Sequence, residues 1–193
     1  MALLRAVNVS GQNRVPMAEL RANMAASGFG DVRTYLQSGN IVFDADADAD
    51  ADVDAEAGRQ AAAAQELAKA VHQLIEREFG HDVKVLVLTA AEMAQVAAVN
   101  PFLPALGPDG EKSLHATFLE EPVPDAAFAG LNLPAQPGEQ AKIAAGSRVI
   151  YLHLPHGYGR TKLNNGYFER HLGAAATTRS WRTVLALAEM SAG

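Results

Sequence analysis

Seven Lys or Arg and a single acid, Glu169, lie between Lys142 and Arg182, in a chain whose formal net charge is −6. Within that span the run from His153 to Arg182, HLPHGYGRTKLNNGYFERHLGAAATTRSWR, concentrates the side chains able to act on an anion. The rest of the chain carries about −12, so the island is a local positive potential on an acidic protein. Such a potential suits the capture of an anionic ligand or partner. The bases also gather where helices are expected to start. Arg14 precedes Pro16, Arg160 and Lys162 precede a helix expected near Gly166, and Arg179 and Arg182 bracket one expected at Ser180. A helix N-terminus is already partly positive, so a base there is unfavourable by about 0.3–1 kcal/mol. Open backbone N–H groups beside a guanidinium suit phosphate or carboxylate, which Arg grips with two parallel bonds.

Other residues extend that chemistry. Tyr158 lies in the glycine loop Gly157-Tyr158-Gly159-Arg160-Thr161-Lys162, which lacks both the P-loop spacing and the third glycine of the dinucleotide fingerprint. Arg5 falls on a first strand, and Asn8, Gln37, Ser38 and Asn40 fall at strand ends or a hairpin tip. There they suit orienting a ligand and equally suit capping a turn. The expected pocket joins four segments: strand one, the Gln37–Asn40 hairpin, the Gly157–Lys162 loop and the helix start at Arg179–Arg182.

Several tempting readings fall away. His153, His156 and His171 do not converge with a carboxylate, so no metal site is expected. Ser38 sits in no nucleophile elbow and reads as a hairpin residue. Trp181, Val184, Leu185 and Ala188 share one helical face, which assigns Trp181 to the core. The chain has no cysteine, which excludes disulfides, thiolate metal sites and thiol nucleophiles. No stretch approaches the roughly 18 apolar residues that span a bilayer, and Met1–Asn8 is too short and polar for a signal peptide, so a cytoplasmic protein without membrane contact is expected.

The positioning elements follow from periodicity. A strand is expected over Leu3–Val9. A helix follows Pro16, with Met17, Leu20 and Met24 on its inner face and Gly28 as its stop. A hairpin of Asp31–Leu36 and Asn40–Phe43 turns at Gln37-Ser38-Gly39. DADADADADVDAE, from Asp44 to Glu56, has seven acids and no base, which makes residues 44–58 a solvated insertion; it lacks the glycine and terminal glutamate of a calcium loop. A helix over Gln60–Phe79 and a strand over Val83–Leu88 complete a βαββαβ order, the ferredoxin-like arrangement. Residues 1–88 are therefore read as a ferredoxin-like α+β domain.

Residues 89–193 are read as a second α+β part. It opens with a helix capped by Thr89 and Glu92 and ended by Asn100-Pro101. A strand over Leu114–Leu119, a short helix over Pro124–Leu131, a hairpin of Ala141–Ala145 with Arg148–Leu154, and helices from Gly166 and Ser180 follow. The order echoes the first half without a residue-level repeat.

These stretches resemble a bacterial family catalogued as domain of unknown function 1697. The resemblance rests on Arg5-Ala6-Val7-Asn8-Val9, Val15-Pro16-Met17-Ala18-Glu19-Leu20-Arg21, the run Thr34–Phe43 containing Gln37-Ser38-Gly39-Asn40, Gly157–Leu163, and Ala176–Val184. This chain departs from the family pattern at Ser10, Thr161 and Ser180, where glycine, serine and asparagine are usual. The resemblance implies an α+β fold with a ferredoxin-like part; it implies no activity, catalytic residue or cofactor.

The reading is therefore a protein that binds a small anionic ligand in a basic pocket. Three alternatives stand beside it: a nucleic-acid-binding module, a small enzyme acting on a phosphorylated metabolite, and a protein-interaction domain, the last consistent with a homodimer. A sequence pI near 5.5 and 6% aromatics weigh against nucleic acid.

Overall fold

The N-terminal apolar run forms β1 (Ala2–Leu4) and stops there, because Ala6 and Asn8 take φ of 54° and 55° and turn the chain out of the strand. The expected strand over Leu3–Val9 is thus shortened by backbone geometry that hydropathy does not report. The computed structural model describes residues 1–9, 11, 13–44, 53–106, 110–144 and 147–192. By its internal contacts the chain divides into two units, Met1–Ala90 with Met190–Gly193, and Ala91–Glu189.

In unit 1, α1 (Met17–Ala26) buries Met17, Leu20 and Met24, the face the spacing predicts. It leads into β2 (Gly30–Tyr35) and β3 (Asn40–Asp44), then α2 (Val53–Phe79) and β4 (Val85–Val87). Helix α2 begins inside the acidic stretch expected to be loop, seven residues before Gln60. The alanine-rich sequence that follows favours continued helix, since alanine loses no side-chain entropy there. The rest of the acidic insertion, residues 45–52, lies outside the described residues. The sheet order is β2-β3-β1-β4, every neighbour antiparallel. Leu4, Leu20, Met24, Ile41, Val71 and Ile75 are fully sequestered between this sheet and its two helices.

Unit 2 starts with α3 (Ala90–Ala98) and two short 3-10 turns, then runs β5 (Leu114–Leu119), α4 (Asp125–Ala129), β6 (Gln140–Ile143), β7 (Val149–His153), α5 (Asn165–Leu172), β8 (Ala176–Ser180) and α6 (Trp181–Ser191). Its sheet order is β6-β7-β5-β8, again with antiparallel neighbours. Counted from the first strand of each sheet, both units have βαββαβ order and the same 2-3-1-4 strand arrangement.

Strand β8 has no counterpart in the sequence expectation, which takes Ala176–Arg179 as a lead-in to the last helix. The β-branched pair Thr177 and Thr178 instead completes the sheet, pairing with Phe118 and Thr117. Helix α6 follows the strand directly at Trp181, which is 1% exposed and belongs to the core as its helical face indicates.

Cross-strand partners share a sheet face. The register therefore puts Tyr151, Ala116 and Arg179 in one row on one face, and Leu152, His115 and Ser180 in a row on the other.

Candidate functional site

The expected ligand residues divide between the two units, and each unit uses its own set differently. In unit 1 the polar groups bind one another. Asn8 Nδ2 donates to the carbonyls of Val15 and Gln37, each at 2.8 Å, while its Oδ1 accepts from Val15 N at 2.9 Å. Its amide thus clasps the β1–α1 loop to the β2–β3 hairpin. Asn40, fully buried, donates to Tyr35 O at 2.8 Å and Ser38 Oγ at 3.0 Å. Gly39 closes the turn at φ 76°, and its carbonyl accepts from Leu4 N at 2.8 Å. A Cβ added there would lie 2.6 Å from both Leu4 Cβ and Val7 Cγ2.

Asn8, Ser38 and Asn40 therefore come together as a structural clasp, and Gln37 joins it through its backbone. Arg14 and the Gln37 side chain are exposed. The Arg5 backbone N–H donates to Lys84 O at 2.9 Å, and its side chain is part-buried.

In unit 2 the glycine loop is pinned from beneath. Thr161 is buried; its Oγ1 donates to Glu139 Oε2 at 2.9 Å and accepts from Leu163 N at 3.0 Å. Glu139 also accepts from Gln136 N at 2.9 Å, and Gln136 Nε2 donates to Arg160 O at 2.7 Å. A buried carboxylate thus fixes the loop, an acid that the count from Lys142 to Arg182 leaves out. Above it Arg160 and Lys162 point to solvent. Tyr158 lies half-buried, its hydroxyl accepting from Asn165 N at 3.3 Å at the start of α5.

That helix start is less open to an anion than its sequence suggests. Asn164 caps it through Oδ1, accepting from Tyr167 N at 3.1 Å, so two of its opening N–H groups serve the chain itself. The remaining polar groups lock α5 to the sheet. Thr117 and Thr178 hydroxyls meet at 2.8 Å, and Thr178 donates to Asn165 Oδ1 at 2.6 Å.

Arg179 is the largest departure. The sequence reading puts it at the start of the last helix; in the structure it lies on β8, the strand at one edge of the sheet, two residues before α6 and at 7% exposure. Its Nη1 donates to Thr177 Oγ1 at 2.7 Å and to Thr178 O at 3.0 Å. Burial pulls its pKa down to about 10, with the Tyr158 phenol opposing that shift, so the guanidinium is charged at neutral pH. Arg182, three residues on, is an exposed helix residue in a different setting.

Sequence reasoning missed His115. Its ring stacks on Tyr158 with centroids 5.5 Å apart and planes at 27°. Burial lowers its pKa, the Ser113 backbone partly offsetting this, so the imidazole is neutral at pH 7. The available signal is a histidine alternating with apolar residues in Leu114-His115-Ala116-Thr117-Phe118-Leu119, on the row it shares with Ser180. Among the described residues no group of three His, Cys, Asp or Glu is arranged to hold a metal, and no helix is long and apolar enough to cross a membrane.

A family model described as a protein of unknown function, DUF1697, matches residues 1–151. The Gly157–Leu163 and Ala176–Val184 stretches lie beyond that span. Among solved structures, a conserved bacterial protein from Streptococcus pneumoniae is similar over 98% of this chain and 96% of its own, with a TM-score of 0.60 and 20% identity. At that identity the likeness is one of fold. The search of curated proteins gave no match.

Proposed function

We propose, for a chain that belongs to the DUF1697 family of proteins of unknown function, that unit 2 binds a small ligand bearing a phosphate or carboxylate. Arg179 supplies the buried positive charge, and the Tyr158–Lys162 loop supplies further cations at the rim. The observation that carries this reading is the Arg179 guanidinium itself. Holding that charge out of water costs about 3 kcal/mol, the equivalent of its lowered pKa. A methionine or leucine on the same strand would avoid that penalty, and a guanidinium in its place can recognise an anion. Its contacts with Thr177 and Thr178 hold the planar guanidinium in one orientation.

The test is a thermal-shift screen with inorganic phosphate, citrate, nucleotides, sugar phosphates and short RNA. Wild type is compared with Arg160→Ala/Lys162→Ala, which alters only exposed side chains, and with Arg179→Lys, which keeps charge and loses the fork. A ligand at a hundred times its Kd stabilises by about 2.7 kcal/mol. We expect one small anion to shift wild type, with a reduced shift in both variants. Equal shifts in all three proteins, or none in wild type, would overturn the reading. A steep loss of binding with salt would indicate many phosphate contacts and therefore a nucleic acid.

His115, on the sheet face opposite Arg179 and stacked on Tyr158 of the glycine loop, favours one second reading, a small enzyme acting on a phosphorylated ligand. A neutral imidazole stacked on Tyr158 has the protonation state a general base needs. The enzyme reading requires turnover that His115→Gln abolishes while anion binding persists.

One finer point belongs to the same proposal. The division near residues 88 and 89 into a ferredoxin-like domain and a second α+β part is supported by the shared 2-3-1-4 sheets.

A further inference from the structure

The outer strand β6 is a regular sheet edge that no other described strand covers. It borders β7 and no other described strand, and its register runs unbroken through Gln140↔His153, Ala141↔Leu152, Lys142↔Tyr151 and Ile143↔Ile150. Its topological equivalent in unit 1 is β2, where the register shifts between Gly30 and Arg33 and Asp31 adopts φ 36°. Arg33 Nε also pairs with Asp31 Oδ2 there at 3.0 Å. Bulges and charges of that kind are how proteins stop an edge from recruiting another strand. Strand β6 has no bulge. Its one charge, Lys142, has its ammonium 4.7 Å from the centre of the Phe102 ring, lying over an aromatic face.

The edge also runs along a groove of about 450 Å³ whose lining comes from both sides of the sheet. Lys142 and Tyr151 share one face, beside Val99 and Pro101; the end of α3 is tied to this face by Tyr151 Oη donating to Val96 O at 3.3 Å. Ala141 and Ile143 occupy the other face, where Phe128 packs against the same core. Successive side chains of an added strand alternate between faces, so the two lips would take alternate residues of one extended segment.

We infer that β6 accepts an extended segment of a partner protein as a fifth strand, with apolar residues on the Phe128 side and acids on the Lys142 side. Charge argues for a different protein over a second copy. Two β6 strands paired antiparallel about a twofold axis would put Lys142 opposite itself, or opposite Gln140 with both lysines on one face. Like charges set that close across a sheet repel. The groove lies at the opposite edge of the sheet from Arg179, at the far end of the row Lys142, Tyr151, Ala116 and Arg179, and the inference stands whether or not an anion binds there.

The test uses the full chain and a fluorescein-labelled peptide, acetyl-Val-Glu-Val-Glu-Val-amide, with two analogues N-methylated at the valines or at the glutamates. In an added strand, alternate N–H groups face the edge, so one methylated isomer should lose about tenfold or more in affinity while the other binds like the parent. Amide resonances of residues 140–143 should shift with the parent peptide, and Lys142→Glu should transfer preference to acetyl-Val-Lys-Val-Lys-Val-amide. Equal binding by parent and both methylated isomers would overturn strand addition. So would absence of binding by either peptide at millimolar concentration. A concentration-dependent dimer that buries residues 140–143 would overturn the choice of partner.

Discussion

The two units share one topology and depart from ideal geometry in opposite ways. Among the described residues, the non-glycine residues with positive φ are Ala6, Asn8, Asn13, Asp31 and Leu36, all in unit 1. Unit 2 makes its left-handed turns with Gly138, Gly157 and Gly173, where no Cβ opposes them. Buried polar groups show the reverse bias. Unit 1 sequesters Asn40, whereas unit 2 sequesters Asn100, Thr117, Glu139, Thr161, Thr177, Arg179 and Thr183. One unit therefore places its exceptions in backbone torsions, in the β1–α1 loop, in β2 and at the hairpin, and the other in buried polar side chains. Backbone strain held by hydrogen bonds makes a rigid tip, and a buried charge makes a preorganised donor. That contrast is why the anion proposal rests on unit 2.

The sharpest way to break the comparison is at Gly39. Gly39→Ala forces a Cβ into Leu4 and Val7 at φ 76°, and should lower stability by about 3 kcal/mol or more, read from urea unfolding. A change below about 1 kcal/mol would mean the clasp gives way easily and unit 1 stores little strain. Asn8→Ala should be next, at about 2 kcal/mol, because it strands Val15 N and removes two carbonyl contacts while keeping the left-handed backbone. Asn8→Gly relaxes the torsion and should recover part of that loss. If the two variants are equally destabilised, side-chain bonding alone accounts for the effect.

What the sequence disclosed follows the same division. Apolar periodicity revealed α1, the β2–β3 hairpin, β5 and the helices of unit 2, because burying a face is a pattern that adjacent residues declare. The α+β class was legible for that reason, and the family through the resemblance carried by stretches such as Gln37-Ser38-Gly39-Asn40. The clasp was legible in part, since Gln37-Ser38-Gly39-Asn40 reads as a turn whose asparagine could serve it. β8 was not, because Ala176-Thr177-Thr178-Arg179-Ser180 has no apolar alternation and becomes a strand only through its pairing with β5. Arg179 and His115 were misread or missed with it. A charge inside a short polar run looks like surface until the sheet that buries it is assembled.

Arg179→Met tests the other side of the comparison. Replacing a desolvated charge with an apolar side chain of similar length should change stability by about 1 kcal/mol or less, in either direction, while abolishing anion stabilisation. A loss of more than about 3 kcal/mol would show that the guanidinium is structural, and unit 2 would then resemble unit 1 in using its exceptions to hold itself together.

The smallest expected effect concerns His115 and the pH dependence of unit 2. Burial lowers its folded-state pKa below the ordinary value of 6.5, so the unfolded chain binds the proton more readily. Stability should therefore be complete above pH 6.5 and fall as pH drops from there toward the folded-state pKa, because the unfolded state holds more protons across that window. His115→Gln keeps a polar side chain and has no proton to take up, so this component should flatten in unfolding measured from pH 8 to pH 5. The other histidines give a background common to both proteins, and the difference between the two profiles isolates His115. A wild-type profile no steeper than the variant's would mean that the imidazole is hydrated as well folded as unfolded. The neutral ring against Tyr158 would then lose its standing as a base, and with it the enzyme reading, while the buried charge of Arg179 would be unaffected.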